Sequence, residues 1–220
     1  RHLGPEGLER LLPADADHPG AGSGHSGVGD EGRAARQYAG VGGRQPIVGP
    51  GDELERFATE ARKRGVIFDV GHGGGSCSWK NAVPVVSQGF WPDSISTDLH
   101  QSSMNAGMKD MLNVASKFLN MGMSLDDVVA RCTWTPAQEI RRPAYGHLTQ
   151  GAVADIAVLR LERGKFGFTD SRRLKMEGTQ KLTAEVTIKG GQVVWDLNGL
   201  ASPLWNSPEA ERFTSRKKGR

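Results

Sequence analysis

Two short apolar runs, "VIFDV" at 66–70 and "DSISTDL" at 93–99, stand with one helical stretch between them, and this spacing limits the fold more than any other feature. The gap holds one helix and no more, so the two runs are expected as consecutive parallel strands of a βα architecture. The stretch between them, "SCSWKNAVPVVSQG", carries Pro84. Proline inside a helix costs about 3 kcal/mol, so either a kink or a helix beginning at Pro84 is expected. Ahead of the first strand, "DELERFATEARKRG" places Leu54, Phe57 and Ala61 near helical spacing, with Gly65 at the stop.

Downstream, "SMNAGMKDMLNVASKFLNMGM" has the clearest helical period: Met108, Met111, Leu112, Ala115, Phe118 and Leu119 form one apolar stripe, with the methionines as core filler. Ser124 followed by Asp127 has the form of a capping box and opens "LDDVVARCTW" as another helix. After Pro136 the pattern turns to strands, with Gly190 and Gly191 between two β-rich runs as a hairpin turn. Alternation giving way to consecutive strands places a boundary near 145. The expected parts are an α/β region over 38–145, a small β unit over 146–205 and a basic tail over 206–220. Residues 1–37 are rich in Gly, Ala, Arg, His and Pro and poor in large apolar groups, so they cannot offset chain entropy and are expected to be disordered.

Bulk properties exclude several classes. The net charge of +3 lies partly in the terminal "RFTSRKKGR", with no interleaved aromatics, so a nucleic-acid partner is not expected. No apolar run approaches the roughly 18 residues that span a bilayer, and no signal-peptide core is present, so no membrane partner is expected. Cys77 and Cys132 form no CxxC pair, which argues against a thiolate zinc site and for a reducing, cytoplasmic setting.

The chemistry-bearing residues sit where the two strands end. His72 follows the first and Asp98 the second, with "GGG" after the histidine and His100 after the aspartate. In βα folds the site lies at the C-terminal strand ends, which makes these residues candidates; each alone is more often a cap or loop residue, and only their occurrence together brings the functional reading level with it. Gly73, Gly74 and Gly75 could let backbone approach a ligand, or could form a loop that needs positive φ. Neither a phosphate-binding glycine motif nor a GxSxG elbow is present.

The segments "RGVIFDVGHGGGS", "GFWPDSISTDLH", "VASKFLNMGMSLDDVVARCTWTPA", "GHLTQGAVADIAVL" and "TIKGGQVVWDLNGL" together resemble the C-terminal half of the amidohydrolase superfamily, in its dihydroorotase-like amidohydrolase/deacetylase branch. The likeness runs over about 38 to 205. It implies an α/β fold: the C-terminal portion of a (β/α)8 TIM-type barrel followed by part of a small β-sandwich. It also implies metal-dependent hydrolysis of amide or ester bonds of a small-molecule substrate, with one or two divalent ions, zinc by preference. On this resemblance Asp98 is both metal ligand and catalytic base. His72, Gly73, Gly74 and His100 are then substrate-facing, since the family's metal histidines come from strands earlier than the one His72 ends.

Other family groups do not match. Ala35, Arg36 and Gln37 stand where a strand-6 histidine is expected before "YAGVGG", and His2, His18 and His25 lie in no ligand context. A zinc site takes three or four protein ligands, and one is recognisable. The abrupt change near Gln37 is expected from a first part read in a shifted frame, or from natural loss of the site. Two functions follow: a metal-dependent amidohydrolase or deacetylase, inactive as this chain alone, or a non-catalytic barrel fragment that acts as an interaction module or self-associates into a homo-oligomer.

Overall fold

The structure, a computed structural model, describes residues 47–49, 51 and 54–217. These fall in one compact unit, 36–220; the expectations for 1–37 lie outside the described residues. The first helix, α1 (Arg56–Lys63), is followed by β1 (Asp69–Gly71), α2 (Trp79–Ser87) and β2 (Ser94–Ser96). As the spacing predicts, β1 and β2 pair in parallel, Val70 opposite Ile95. The pair is shorter than the apolar runs that announce it. Phe68 lies outside the ladder because the Asp93 carboxylate accepts its N–H at 2.8 Å, while its carbonyl accepts from the Asp93 N–H.

One helical expectation needs correction, and another is decided between its alternatives. In α1 the buried residue is Ala58, and Phe57 is exposed; Leu54 lies ahead of the helix, bridged to Val48. Alanine lets the helix lie close on the core, and the bulky ring goes outward. Of the two alternatives open at Pro84, the helix beginning there does not hold: α2 starts at Trp79 and runs through Pro84. Its start is held by tertiary contact: the Trp79 N–H donates to the buried Asp170 carboxylate at 3.0 Å.

Helix α3 (Met111–Asn120) begins later than its apolar period suggests, because Asp110 caps it, accepting from the Asn113 N–H at 2.7 Å. Residues 101–107 form turns, and Met108 is buried ahead of the helix. Helix α4 (Leu125–Cys132) has its expected cap, Ser124 accepting from the Asp127 N–H. A short α5 (Trp134–Glu139) leads into an antiparallel sheet of β3 (Ile156–Thr169), β4 (Lys175–Lys189) and β5 (Gln192–Asp196), in that spatial order. Gly190 and Gly191, both at positive φ, turn β4 into β5. Helix α6 (Pro208–Lys217) occupies the basic tail.

The core gathers Phe68, Val70, Ile95, Val114, Phe118 and Val128 with Leu182 of β4, so the sheet closes onto α3. Polar groups stitch this seam. Ser116 Oγ accepts the Leu182 N–H at 2.9 Å, and the Asn120 side chain bonds Thr179 and Gln180. No helix among the described residues is long and apolar enough to cross a membrane.

Candidate functional site

The two loops that leave β1 and β2 meet. Because the strands are parallel, both exit on the same side, and the His72 and Gly73 N–H groups continue the pairing by donating to the Ser96 and Thr97 carbonyls at 3.3 and 2.8 Å. Gly73 has φ +50, a left-handed conformation that glycine reaches without a Cβ penalty. The open face of that glycine is filled by the Asp98 carboxylate, with which any side chain there would collide. Next to it, Gly74 faces the His100 ring, which a side-chain carbon at that position would meet at ordinary van der Waals distance. The structure therefore brings Gly73 together with Asp98, and Gly74 with His100.

Asp98 itself has φ +48. Aspartate is one of the few non-glycine residues that visits this region, and the strain is of a kind found at functional sites. Its turn is clamped by Ser103, a fully buried serine that sequence reasoning missed. Ser103 Oγ accepts the His100 N–H at 2.9 Å and lies within hydrogen-bonding distance of the Asp98 and His100 carbonyls. Asp98 and His100 are both exposed. His100 Nδ1 pairs with the Ser102 hydroxyl at 2.9 Å.

His72 is placed differently. Its side chain is fully buried and both ring nitrogens are engaged within the chain: Nδ1 with the Gly73 carbonyl at 2.9 Å, Nε2 with Lys117 Nζ at 2.7 Å. Burial, and after it the Lys117 charge, pushes the imidazole down to about 4. It is neutral near pH 7. Lys117, on the buried side of α3, also donates to the Gly107 and Thr169 carbonyls at 2.6 and 2.8 Å, and burial pushes it down to about 8. The Trp79 ring lies 5.7 Å from its ammonium, and Cys77 nearby is pushed up to about 11 by burial. Asp170 braces this region by accepting from Trp79, Arg172 and Leu174 N–H groups. The available signal for Lys117 is its place inside an apolar helical stripe.

Among the described residues, no three histidine, cysteine, aspartate or glutamate side chains stand close enough to hold a metal ion. Asp98 and His100 are exposed near one another's loop, while His72 is taken by an ammonium. These residues alone do not fit a zinc centre, which needs three or four protein ligands. What the arrangement offers is an exposed carboxylate on a rigid turn, suited to accepting a proton.

No protein-family model matches the chain. Over 120 residues it is 38% identical to a curated deacetylase of Agrobacterium fabrum (strain C58), the match covering 54% of this chain and 30% of that protein. A deacetylase of Brucella anthropi is 35% identical over 120 residues, with the same two shares. The match thus spans less than a third of the length of these relatives. Among solved structures, an adenine deaminase superposes with TM-score 0.65 at 27% identity, over 69% of this chain and 41% of the other. A dihydroorotase does so with TM-score 0.58 at 33% identity, over 63% and 38%.

Proposed function

We propose, for a chain that belongs to the amidohydrolase superfamily and matches its members over a C-terminal portion, that it carries the Asp98 end of an enzyme hydrolysing acyl-amide or ester bonds of a small molecule. The observation that supports this best is the Asp98 carboxylate, exposed in a left-handed turn and seated on Gly73 where two parallel strands end. In this reading β1 and β2 are the last two strands of a (β/α)8 barrel, and β3 to β5 are part of a small sandwich. Asp98 accepts a proton from the attacking water and returns it to the departing amine or alcohol, which balances the hydrolysis. Gly74 and His100 line the approach to it.

The resemblance adds one or two divalent ions, zinc by preference, with Asp98 as one ligand. The described residues do not complete such a centre. Groups from earlier strands are required, so this chain alone is expected to turn over little.

The test is a chimera in which residues 38–205 replace the matching segment of the Agrobacterium deacetylase. Hydrolysis of acetylated substrates is expected, and it should collapse on Asp98→Asn. Equal rates with and without that substitution would refute the reading.

A second reading, a non-catalytic module that pairs with itself or another chain, is favoured by the two-stranded parallel sheet, which is only two strands wide among the described residues. Light scattering on the purified chain separates the two: concentration-dependent association without turnover in the chimera supports the second.

A further inference from the structure

We propose that Lys117 is the positioning residue of this site: its ammonium holds His72 in the Nδ1–H tautomer, and that N–H pins the Gly73 carbonyl and so the left-handed turn on which the Asp98 carboxylate rests. The heavy-atom geometry leaves few alternatives. The Gly73 carbonyl, 2.9 Å from Nδ1, can only accept, so Nδ1 carries a proton. Lys117 Nζ faces the other ring nitrogen at 2.7 Å. An ammonium has three N–H donors and no acceptor, so Nε2 must present its lone pair. The remaining two N–H groups go to the Gly107 and Thr169 carbonyls. Three donors meet three acceptors, and no polar atom of the cluster is left over.

The reverse arrangement, a neutral amine accepting from Nε2–H, would need a doubly protonated imidazole to keep the Gly73 bond. That places the charge on the ring rather than on the stronger base, inside a site with no carboxylate on either nitrogen. The proton therefore stays on Lys117. His72 acts as a rigid spacer between an ammonium and a backbone carbonyl, and it does not shuttle protons.

Gly73 then receives fixed contacts on both sides. Its carbonyl is held by His72 and its N–H by the Thr97 carbonyl, one residue ahead of Asp98. Buried Lys117 thus acts on the exposed carboxylate through two hydrogen bonds and one peptide. The inference rests on the reading of Asp98 as the working carboxylate, but the tautomer does not, so the two can fail separately. A chimera without Asp98-dependent hydrolysis would sink that reading and leave the His72 assignment standing.

The experiment is nitrogen NMR of the full chain with labelled histidine at neutral pH. His72 is expected to show a protonated Nδ1 and a bare Nε2. An Nε2–H tautomer or an imidazolium would overturn the proposal. In Lys117→Met, of similar length and without donors, His72 should sample both tautomers, and the Gly73 amide should exchange with solvent at least about tenfold faster, while Val128 in α4 stays within about threefold. An unchanged Gly73 rate in folded Lys117→Met would also overturn it. Should that variant not fold, the wild-type spectrum still decides the tautomer. His72→Leu, which keeps both carbonyl acceptors of the ammonium and removes the Nδ1–H, then carries the same Gly73 readout.

Discussion

The Asp98 carboxylate occupies the space that a side chain on Gly73 would need. The candidate base and the bare backbone beneath it are therefore one construction, and a change at either is felt at the other. Gly73→Ala combines that collision with a left-handed φ of +50. It should lower stability by about 1–2 kcal/mol from the backbone alone, plus whatever moving Asp98 costs. Gly75→Ala meets nothing within 4 Å and should stay within about 0.5 kcal/mol of wild type. Urea unfolding of the two variants side by side makes the comparison.

Asp98 offers a second separation of stability from chemistry. Asparagine tolerates its φ of +48 as aspartate does, whereas alanine does not. Asp98→Asn should unfold within about 0.5 kcal/mol of wild type, and Asp98→Ala should be less stable by about 1 kcal/mol. In the chimera with the deacetylase, Asp98→Asn should slow turnover by about 100- to 10,000-fold. A stable but slow Asn variant identifies a chemical role; an unstable one points to a structural role.

Acid should weaken the fold through His72. The folded imidazole lies at about 4 and the unfolded one near its ordinary 6.5. Between these values the unfolded chain binds the extra proton, so stability rises with pH there and is lost as pH falls from 6.5 to 4. The shift corresponds to about 3 kcal/mol across that window. Unfolding free energies measured at steps of pH should show this limb in wild type, and His72→Gln should flatten it.

The seam between α3 and β4 hangs on Asn120. Its amide donates to the Ser116 and Gln180 carbonyls and its oxygen accepts the Thr179 and Gln180 N–H groups. Asn120→Ala leaves strand groups without partners where the sheet meets the helix, and should cost about 2–3 kcal/mol. The expected signature is earlier loss of hydrogen-exchange protection in 176–182 than in β5. Uniform loss would show that the sheet does not open separately.

Much of this architecture could be read from residues alone, and the exceptions have physical causes. The parallel pair followed from spacing, the α4 start from Ser124 and Asp127, and the last hairpin from its two glycines, because each is decided by local chain geometry. Errors arose where distant groups overrode local preference. At Pro84 the alternative of a helix beginning there fails, because Asp170, far along the chain, caps Trp79 five residues earlier. Phe57 suits the helical stripe but Ala58 fits the core. At the site, Asp98 and the glycines were visible at strand ends, whereas Lys117 was not. A lysine in a helix reads as solvated, and only the whole run Val114–Leu119 being buried shows that it must be paired inside.

The three acceptors around Lys117 lie 45, 10 and 52 residues away along the chain. A lysine leaves water only when all its partners are present, so this cluster cannot form early in folding on local contacts alone. Helix, strand loop and sheet end must already have docked, which makes closure of the ammonium cradle a late event. Substitutions at Lys117 are then expected to speed unfolding and leave the refolding rate nearly unchanged. The turn that carries Asp98 becomes rigid only in chains that have completed their fold, so a partly folded chain has no working site to expose.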